Sequence, residues 1–277
     1  MKEEGLCSWL RRSIRYVTSI LPPNKLSKDL GQHLMVWCSL GLKFLEIIKK
    51  LSANKVLELG TGTGFLTKFL SMAADNVVSI EIDPKLASIA RELLRDAYNI
   101  HLIIGDGLEF IRVLNDRVEI IASNTPYNIS SRVIVSFIKS NLNYALLTLQ
   151  KEVADKLLAK PGTRDYGRLS VISSIFLSVE RIRDYPPIAF YPRPEVYSTL
   201  VLLRRKRSWS PIFNNIEEFL GCLFSQRRRR LIKVLNKCVE GFSINKLISK
   251  YHVRNDLRVF QAEPELLLNL YIRSKSN

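Results

Sequence analysis

The 277-residue sequence lacks most of the features that identify secreted, membrane-spanning and metal-binding proteins. Three histidines and no Cys-x-x-Cys pair predict that no metal is bound. The cysteines are few and scattered, and we expect them to be reduced thiols in a cytoplasmic protein. They are Cys7, Cys38, Cys222 and Cys238.

Long apolar runs are also missing, so no segment is predicted to span a bilayer, and we expect no membrane partner. Arginines interrupt the apolar stretch near the start of the chain, which argues against a signal peptide. Residues 8–20 could form an amphipathic helix, and contact of that helix with a membrane surface is an open alternative.

Acidic residues are scarce relative to basic ones, with 26 Asp and Glu against 42 Lys and Arg and a formal net charge of +16. The positive charge is clustered in residues 204–207 (Arg-Arg-Lys-Arg) and in the run Arg227, Arg228, Arg229 and Arg230. Such runs often form solvated faces. Two of them in so basic a chain favour a nucleic-acid partner.

A glycine-rich turn follows the first predicted strand of the chain. Residues 56–59 read as a buried parallel strand, residues 60–64 are Gly-Thr-Gly-Thr-Gly, and residues 65–70 have helical spacing. A dinucleotide site requires Gly-x-Gly-x-x-Gly, and here Phe65 takes the last glycine position. No Gly-Lys-Ser/Thr follows, which excludes a P-loop. The spacing is typical of S-adenosylmethionine sites, with Gly60 and Gly62 approaching the cofactor.

The next three predicted strands each end in a polar residue suited to the same pocket. Glu81 lies about 20 residues beyond the first glycine, where α/β nucleotide-binding folds place an acid that binds the ribose hydroxyls. Asp106 could accept a hydrogen bond from the adenine amine, and Asn124 ends the fourth strand. Alone, either carboxylate would be read as a solvated strand end. Their regular order favours one cofactor pocket beyond the carboxyl ends of the strands.

The loop formed by Asn124, Thr125, Pro126 and Tyr127 suits a flat ring with an exocyclic amine. The Asn124 carboxamide oxygen and the Thr125 carbonyl can both accept hydrogen bonds from an NH2 group, and the Tyr127 ring can stack on the base. In isolation, a Pro-Tyr turn after a strand is ordinarily only a turn. Upstream of it, however, lies the predicted methyl-donor site, and we therefore expect these residues to be catalytic.

The alternation of strands and helices predicts an α/β fold, a Rossmann-like methyltransferase domain followed by a small helical domain. Residues up to about 51 are expected to be mainly helical. Strands are predicted at 144–149, 171–179 and 199–203, and a helix at 151–159. Beyond the charged segment near residue 206, helices are predicted at 213–224, 228–238, 244–250 and 264–273. We divide the chain into a catalytic domain, 1–206, and a basic helical domain, 207–277.

Blocks along nearly the whole chain resemble the ribosomal RNA adenine dimethyltransferase family. They are residues 30–33 (LGQH), 57–67 (LELGTGTGFLT), 124–131 (NTPYNISS), 150–154 (QKEVA), 166–170 (YGRLS), 190–198 (FYPRPEVYS) and 224–231 (FSQRRRRL). The sequence departs from the family pattern at Thr125, at residues 34–37, at Glu195 and at Tyr197.

The resemblance implies dimethylation of two adjacent adenines near the 3′ end of small-subunit rRNA, linked to maturation of the small ribosomal subunit. It implies S-adenosylmethionine (SAM) as cofactor, with His33 and Met35 joining Gly60, Gly62, Glu81, Asp106 and Asn124 around it. It implies that Arg227, Arg228, Arg229, Arg230 and Lys233 bind RNA. We expect a monomer that binds the immature small subunit.

Three alternatives stay open at this point. A related enzyme could methylate large-subunit rRNA. A DNA adenine methyltransferase would share the Asn124 loop but not the blocks downstream of it. A catalytically weak paralogue could act as an RNA-binding assembly factor, although Gly60, Glu81, Asp106 and Asn124 are all present.

Overall fold

A computed structural model of the chain describes residues 3–27, 30–239 and 250–274. The strands are β1 (Leu34–Met35), β2 (Lys55–Leu59), β3 (Asn76–Glu81), β4 (Ile100–Ile104), β5 (Ile120–Asn124), β6 (Tyr144–Gln150), β7 (Leu177–Tyr185), β8 (Phe190–Tyr191) and β9 (Ser198–Arg205). Seven of them form a sheet in the order β4-β3-β2-β5-β6-β9-β7. A separate antiparallel pair joins β1 to β8.

The helices of the first half are α1 (Glu3–Ile20), α2 (Cys38–Lys50), α3 (Phe65–Ser71), α4 (Pro84–Leu93), α5 (Gly107–Val113) and α6 (Ser130–Lys139). Those of the second half are α7 (Lys151–Leu158), α8 (Arg168–Phe176), α9 (Ile216–Ser225), α10 (Leu231–Cys238) and α11 (Pro264–Ser274). The helix predicted over 244–250 falls outside the described residues, except for Lys250.

Strands β2 to β6 run parallel, and β9 pairs antiparallel with β6. The inner strands β2, β5 and β6 are buried almost throughout, as expected when helices cover both faces of a sheet. Because parallel strands share one carboxyl edge, the registers that pair Glu81 with Ile104 and Leu59 with Ile80 align the strand ends. The α/β fold predicted from the sequence is confirmed.

The apolar core on one face of the sheet is built from α1, α2 and α3. Phe44 of α2 and Phe69 of α3 are completely buried in it. Gly41 lets the two helices approach, because a Cβ at that position would meet the Phe69 ring at 2.7 Å. Burying each phenyl ring contributes about 1.5–3 kcal/mol relative to leaving it exposed.

The strand predicted over residues 171–179 is wrong in its first part. Helix α8 continues to Phe176, and strand β7 begins only at Leu177. The α8 residues from Ser170 to Phe176 are nearly all buried, so the sequence shows neither strand alternation nor a helical stripe. A short continuous apolar run has the same pattern in a buried strand and in a buried helix.

The expectation of free thiols is also wrong, because Cys7 is joined to Cys38 and Cys222 to Cys238 by disulfides. The first disulfide ties α1 to α2, with a Cα–Cα distance of 5.4 Å. The second ties α9 to α10, with a Cα–Cα distance of 5.7 Å. The partners are 31 and 16 residues apart in sequence, without a recognisable spacing motif, so only the packing of the helices reveals the pairs.

The chain divides into two compact units, one formed by Met1–Val153 with Glu180–Arg204 and the other by Ala154–Val179 with Arg205–Asn277. The domain boundary between residues 206 and 207 stays a prediction. No helix in the described residues combines the length and apolarity needed to cross a membrane. Within the same residues, no group of three or more His, Cys, Asp or Glu side chains could hold a metal ion.

Candidate active site

The glycine turn is held between the ends of β2 and β3. The backbone N–H groups of Gly60 and Thr61 both donate to the Ile80 carbonyl, at 2.9 and 3.2 Å. Gly62 has φ of +58°, and a Cβ there would lie 2.9 Å from the Leu34 side chain. The turn therefore requires glycine at this position, for its backbone angle and for the close approach of Leu34.

Glu81 lies buried at the end of β3, with 4% of its surface exposed. Its Oε2 accepts from the Gly62 N–H at 2.6 Å, and its Oε1 accepts from the Asp83 N–H at 2.9 Å. Burial raises the pKa of the Glu81 carboxyl above its usual value. A carboxylate offers about four lone-pair positions. Glu81 thus fixes the glycine turn and retains acceptor capacity for two hydroxyl groups.

Asp106 follows β4 and is exposed at the same edge of the sheet. Its Oδ1 accepts from the Leu108 N–H at 2.9 Å and so caps α5. The cap holds the carboxylate in place and leaves Oδ2 available to an amine donor. Glu81 and Asp106 line one cleft together with Gly60 and Gly62.

Apolar walls of this cleft were not identified from the sequence. Ile82 lines it with 52% of its surface exposed, and Leu86 and Leu108 line it as well. An exposed isoleucine directly after a buried acid suits contact with a flat ring. The only sequence signal was an apolar residue between Glu81 and Asp83, which by itself is unremarkable.

The segment from Leu30 to His33 closes over the strand ends. Gln32 Nε2 donates to Asp83 Oδ2 at 3.2 Å, and Gln32 Oε1 accepts from the Ser27 N–H at 2.7 Å. Gly31 has φ of +61°, and a Cβ there would lie 3.1 Å from the Tyr127 backbone nitrogen. The family block at residues 30–33 includes Gly31 and Gln32, but contacts so remote in sequence follow no pattern that would predict them.

His33 and Met35, which the family resemblance assigns to the cofactor site, both line the cleft. Met35 is almost fully buried and pairs with Phe190 in the small β1–β8 sheet. The His33 Nδ1–H donates to the Pro192 carbonyl at 2.7 Å. This contact joins the segment after Leu30 to the Pro192 block.

Asn124 ends β5, and its carboxamide group faces His33. Its Nδ2 donates to the His33 carbonyl at 2.6 Å, which fixes the orientation of the amide. Oδ1 is then the atom of the side chain that is left to accept a hydrogen bond from a ligand in the cleft. The Thr125 side chain is buried. The backbone N–H of Thr125 donates to the Thr148 carbonyl at 3.2 Å.

The turn after Asn124 is stabilised by its own backbone. The Pro126 carbonyl accepts from the Ile129 N–H at 3.1 Å and from Ser130 Oγ at 3.3 Å. Both Asn124 and Pro126 line the cleft that holds the glycine turn. Of the four predicted catalytic residues, the structure thus brings Asn124 and Pro126 into the cleft of the predicted cofactor residues, whereas Thr125 and Tyr127 are not among the residues that line it.

Tyr127 is half-buried, and its orientation is fixed at both ends. Its hydroxyl shares a hydrogen bond with Ser198 Oγ at 2.6 Å, and its ring lies 5.0 Å from the His33 ring, tilted by 32°. Burial raises the pKa of the Tyr127 phenol above its usual value, so the hydroxyl stays neutral at physiological pH. No spacing or motif along the chain predicts the contact between Tyr127 and Ser198.

A buried glutamate lies beneath the glycine turn. Glu58 Oε2 accepts from Ser79 Oγ at 2.6 Å, and Ser79 Oγ in turn lies 2.6 Å from Thr61 Oγ1. Since the Ser79 proton goes to Glu58, the Thr61 hydroxyl donates to Ser79. Burial raises the pKa of Glu58 to about 8. The chain of bonds connects the core of β2 to the glycine turn.

The four arginines of the run at 227–230 lie in two different environments. The contacts described here are all within the unit that contains residues 205–277. Arg227 donates to the Arg164 carbonyl at 2.9 Å and to the Thr163 carbonyl at 3.2 Å, and it lies over the Phe260 ring. The side chains of the other basic residues are exposed. These are Arg228, Arg229, Arg230 and Lys233.

These features fit a nucleoside-containing cofactor. Glu81 and Asp106 supply acceptors for hydroxyl and amine groups, Ile82 and Leu108 supply an apolar wall, and the glycine turn allows close approach of the ligand. The fold and the cleft define a Rossmann-like methyltransferase that uses SAM.

Comparison with known proteins identifies the family. The family model described as "Ribosomal RNA adenine dimethylase" matches residues 24–275. A protein from Pyrobaculum aerophilum named probable ribosomal RNA small subunit methyltransferase A is 41% identical over 180 residues, covering 65% of this chain and 76% of that protein. One of the same name from Methanothermobacter thermautotrophicus is 32% identical over 251 residues, covering 89% and 90%.

Among solved structures, a dimethyladenosine transferase from Plasmodium falciparum matches with a TM-score of 0.71 and 26% identity, covering 86% of this chain and 96% of that one. The 23S rRNA methyltransferase ErmE matches with a TM-score of 0.59 and 25% identity, covering 84% and 98%. The chain belongs to the ribosomal RNA adenine dimethylase family, and it is a SAM-dependent rRNA adenine methyltransferase.

Proposed function

We propose that this enzyme dimethylates N6 of two adjacent adenines near the 3′ end of small-subunit rRNA, as part of small-subunit maturation. The observation that carries the proposal is the fixed carboxamide of Asn124. Its Nδ2 is engaged by the His33 carbonyl, so its Oδ1 is presented as an acceptor in the cleft shared with the glycine turn. The choice of the small subunit is supported by the names of the relatives.

Adenine N6 is a weak nucleophile because its lone pair is delocalised into the ring. Asn124 Oδ1 and the Thr125 carbonyl would accept hydrogen bonds from the two amine protons and so direct the lone pair out of the ring plane. Tyr127, held by Ser198, would stack on the base after it leaves its RNA stack. Preorganised acceptors of this kind account for much of the rate enhancement in such sites.

Bound SAM supplies the electrophilic methyl group. Glu81 would accept from its ribose hydroxyls and Asp106 from its adenine amine, while Gly60 and Gly62 allow the close approach. His33 and Met35 would border it. No general base is required, because N6 becomes acidic as it is methylated and releases its proton to water. The second methyl group on each base requires a further cycle with fresh cofactor.

Exposed arginines in the second unit would bind the RNA backbone. Arg228, Arg229 and Arg230 directly precede α10, where the helix dipole disfavours cations and favours anions. A phosphate at the start of α10 would be attracted by the arginines and by the helix dipole. Lys233 lies on the first turn of the same helix. Arg227 would act differently, by holding Arg228 and its neighbours in position through its bonds to the chain near Thr163.

We propose that the protein acts as a monomer on the immature small subunit in the cytoplasm. The two disulfides weigh against the cytoplasm, because disulfides are rare in cytosolic proteins other than those of hyperthermophiles.

The proposal is tested by incubating the enzyme and radiolabelled SAM with purified undermethylated small subunits, and separately with large subunits. We expect label in the small subunits only. Label in the large subunits alone would replace the proposal with the large-subunit alternative. The absence of label from both, with SAM bound, would favour an assembly factor without turnover.

A further inference from the structure

Helix α1 presents a strip of arginines that the proposed function has not used. Arg11, Arg12 and Arg15 are all exposed. Arg15 lies four residues after Arg11 and three after Arg12, so the three side chains project from one side of the helix. The helix precedes residues 24–275, which are those that the family model matches. The three residues are called the α1 strip below.

The described residues leave the charges of the strip uncompensated. Arg12 donates to Ser8 Oγ at 2.8 Å, and no salt bridge to any member of the strip is formed by the described residues. Glu4 shares this face but lies about 10 Å from Arg11 along the axis, given a rise of about 1.5 Å per residue. Glu92, on α4, is engaged by the Tyr16 hydroxyl at 3.0 Å.

The opposite face of α1 is fixed to the catalytic unit. Leu6, Leu10 and Val17 are buried in the core, and the Cys7–Cys38 disulfide holds the helix to α2. Its apolar face is therefore unavailable to a membrane, which removes the basis for the lipid-surface alternative. A rigid helix fixes the backbone positions of its arginines before a ligand arrives, which lowers the entropy lost on binding.

Helix α1 and the residue after it also contact residues that line the cleft or neighbour those that do. Trp9 packs edge-on against Phe65, which lines the cofactor cleft, with ring centroids 6.4 Å apart. At its end, the Leu21 carbonyl accepts from the Tyr191 hydroxyl at 3.0 Å, and Tyr191 precedes the Pro192 carbonyl that binds His33. Arg15 lies about 9 Å before Leu21 along the helix, by the same rise per residue.

We propose that the α1 strip is an RNA-binding surface that contacts the phosphate backbone of the rRNA whose adenine enters the cleft. The inference rests on the proposed function, since it takes small-subunit rRNA as the partner. An RNA backbone matches a short row of exposed guanidinium groups with no acid among them, and Arg is the side chain that pairs best with phosphate.

The test measures binding of undermethylated small subunits over a range of salt concentrations. The variant is R11Q/R12Q/R15Q. The matched control is K49Q/K50Q/K55Q, because these three lysines are exposed in the same unit at the opposite edge of the sheet. The strip variant should bind about tenfold more weakly at low salt, and its salt slope should fall by roughly two to three. SAM affinity should be unchanged.

Equal losses in both variants would mean that only net charge matters, and an unchanged slope in the strip variant would overturn the proposal directly. A strip variant that loses binding to phosphatidylserine vesicles but keeps its affinity for the subunit would assign the strip to lipid. The wild type is assayed for methyl transfer on the same particles. If it methylates them and the strip variant binds normally, only the inference about α1 fails. If it does not methylate them, the proposed function fails.

Discussion

The cleft and the exposed arginines differ in how their side chains are held. In the cleft, Glu81, Asp106 and Asn124 each make hydrogen bonds to backbone groups, so their positions are set before a ligand binds. Arg228 and Arg229, by contrast, are exposed at the start of a helix. Fixed acceptors suit chemistry at one atom, whereas exposed cations suit a polyanion whose phosphates are interchangeable.

Arg227 shows that the difference does not follow sequence neighbourhood. It belongs to the same run as Arg228, yet its guanidinium is bonded to two backbone carbonyls and lies 5.7 Å from the centre of the Phe260 ring. Conversely, Arg11 and Arg15 are separated in sequence and lie on one helical face. The surroundings of an arginine in the fold, and not its neighbours in sequence, therefore determine whether its guanidinium is free to bind RNA.

The largest effect is expected at Asn124. Asn124→Ala removes a preorganised acceptor, which typically costs about 10²–10³ in rate. The loss should appear in single-turnover methyl transfer at saturating SAM, with affinity for the small subunit nearly unchanged. Asn124→Asp is the control, because it keeps an acceptor, and its residual rate should exceed that of the Ala variant. A near wild-type rate for Asn124→Ala would leave Asn124 as a turn residue only.

Glu81→Ala should weaken SAM binding about tenfold or more, because a hydrogen bond to a charged group contributes roughly 1.5–3 kcal/mol. Isothermal titration calorimetry measures the affinity. Glu81→Gln retains one carbonyl acceptor and should lie between the wild type and the Ala variant. Unchanged affinity in Glu81→Ala, with unfolding unaltered, would contradict the ribose assignment.

The arginine run should separate into two behaviours. R228Q/R229Q/R230Q should reduce the salt slope of RNA binding by roughly two to three and leave thermal stability unchanged. Arg227→Gln should instead lower the free energy of unfolding by about 1 kcal/mol, because its two hydrogen bonds to carbonyls are lost. Denaturant unfolding and filter binding distinguish them. If Arg227→Gln lowers the slope without loss of stability, the division between the two kinds of arginine is wrong.

The last prediction concerns the pH dependence of stability, not of binding or turnover. Because the pKa of Glu58 is raised from 4.5 to about 8 in the folded protein, the folded state retains a proton that the unfolded state releases. Stability from this group is full below pH 4.5 and is lost as pH rises to about 8, with a slope of at most about 1.4 kcal/mol per pH unit.

Glu58→Gln cannot ionise, and the difference in unfolding free energy between the wild type and this variant isolates the group. That difference should fall with rising pH between about 5 and 8. A difference independent of pH would mean that Glu58 has an ordinary pKa.

The sequence predicted the parts of the site that follow from strand order. Glu81, Asp106 and Asn124 could be placed together because parallel strands end at one edge, so spacing along the chain translates into proximity. The folding of Gly31 and Gln32 over the loop and the Ser198 contact with Tyr127 could not be predicted in the same way. They join segments whose separation follows no regular period, as the two disulfides do.

The central claim is that the cleft transfers methyl groups to N6 of rRNA adenines. The most direct measurement digests small subunits to nucleosides after exhaustive reaction with labelled SAM and maps the modified positions. The account predicts N6,N6-dimethyladenosine as the labelled product, at two adjacent adenines near the 3′ end. Label on another base, or on another atom of adenine, would contradict it.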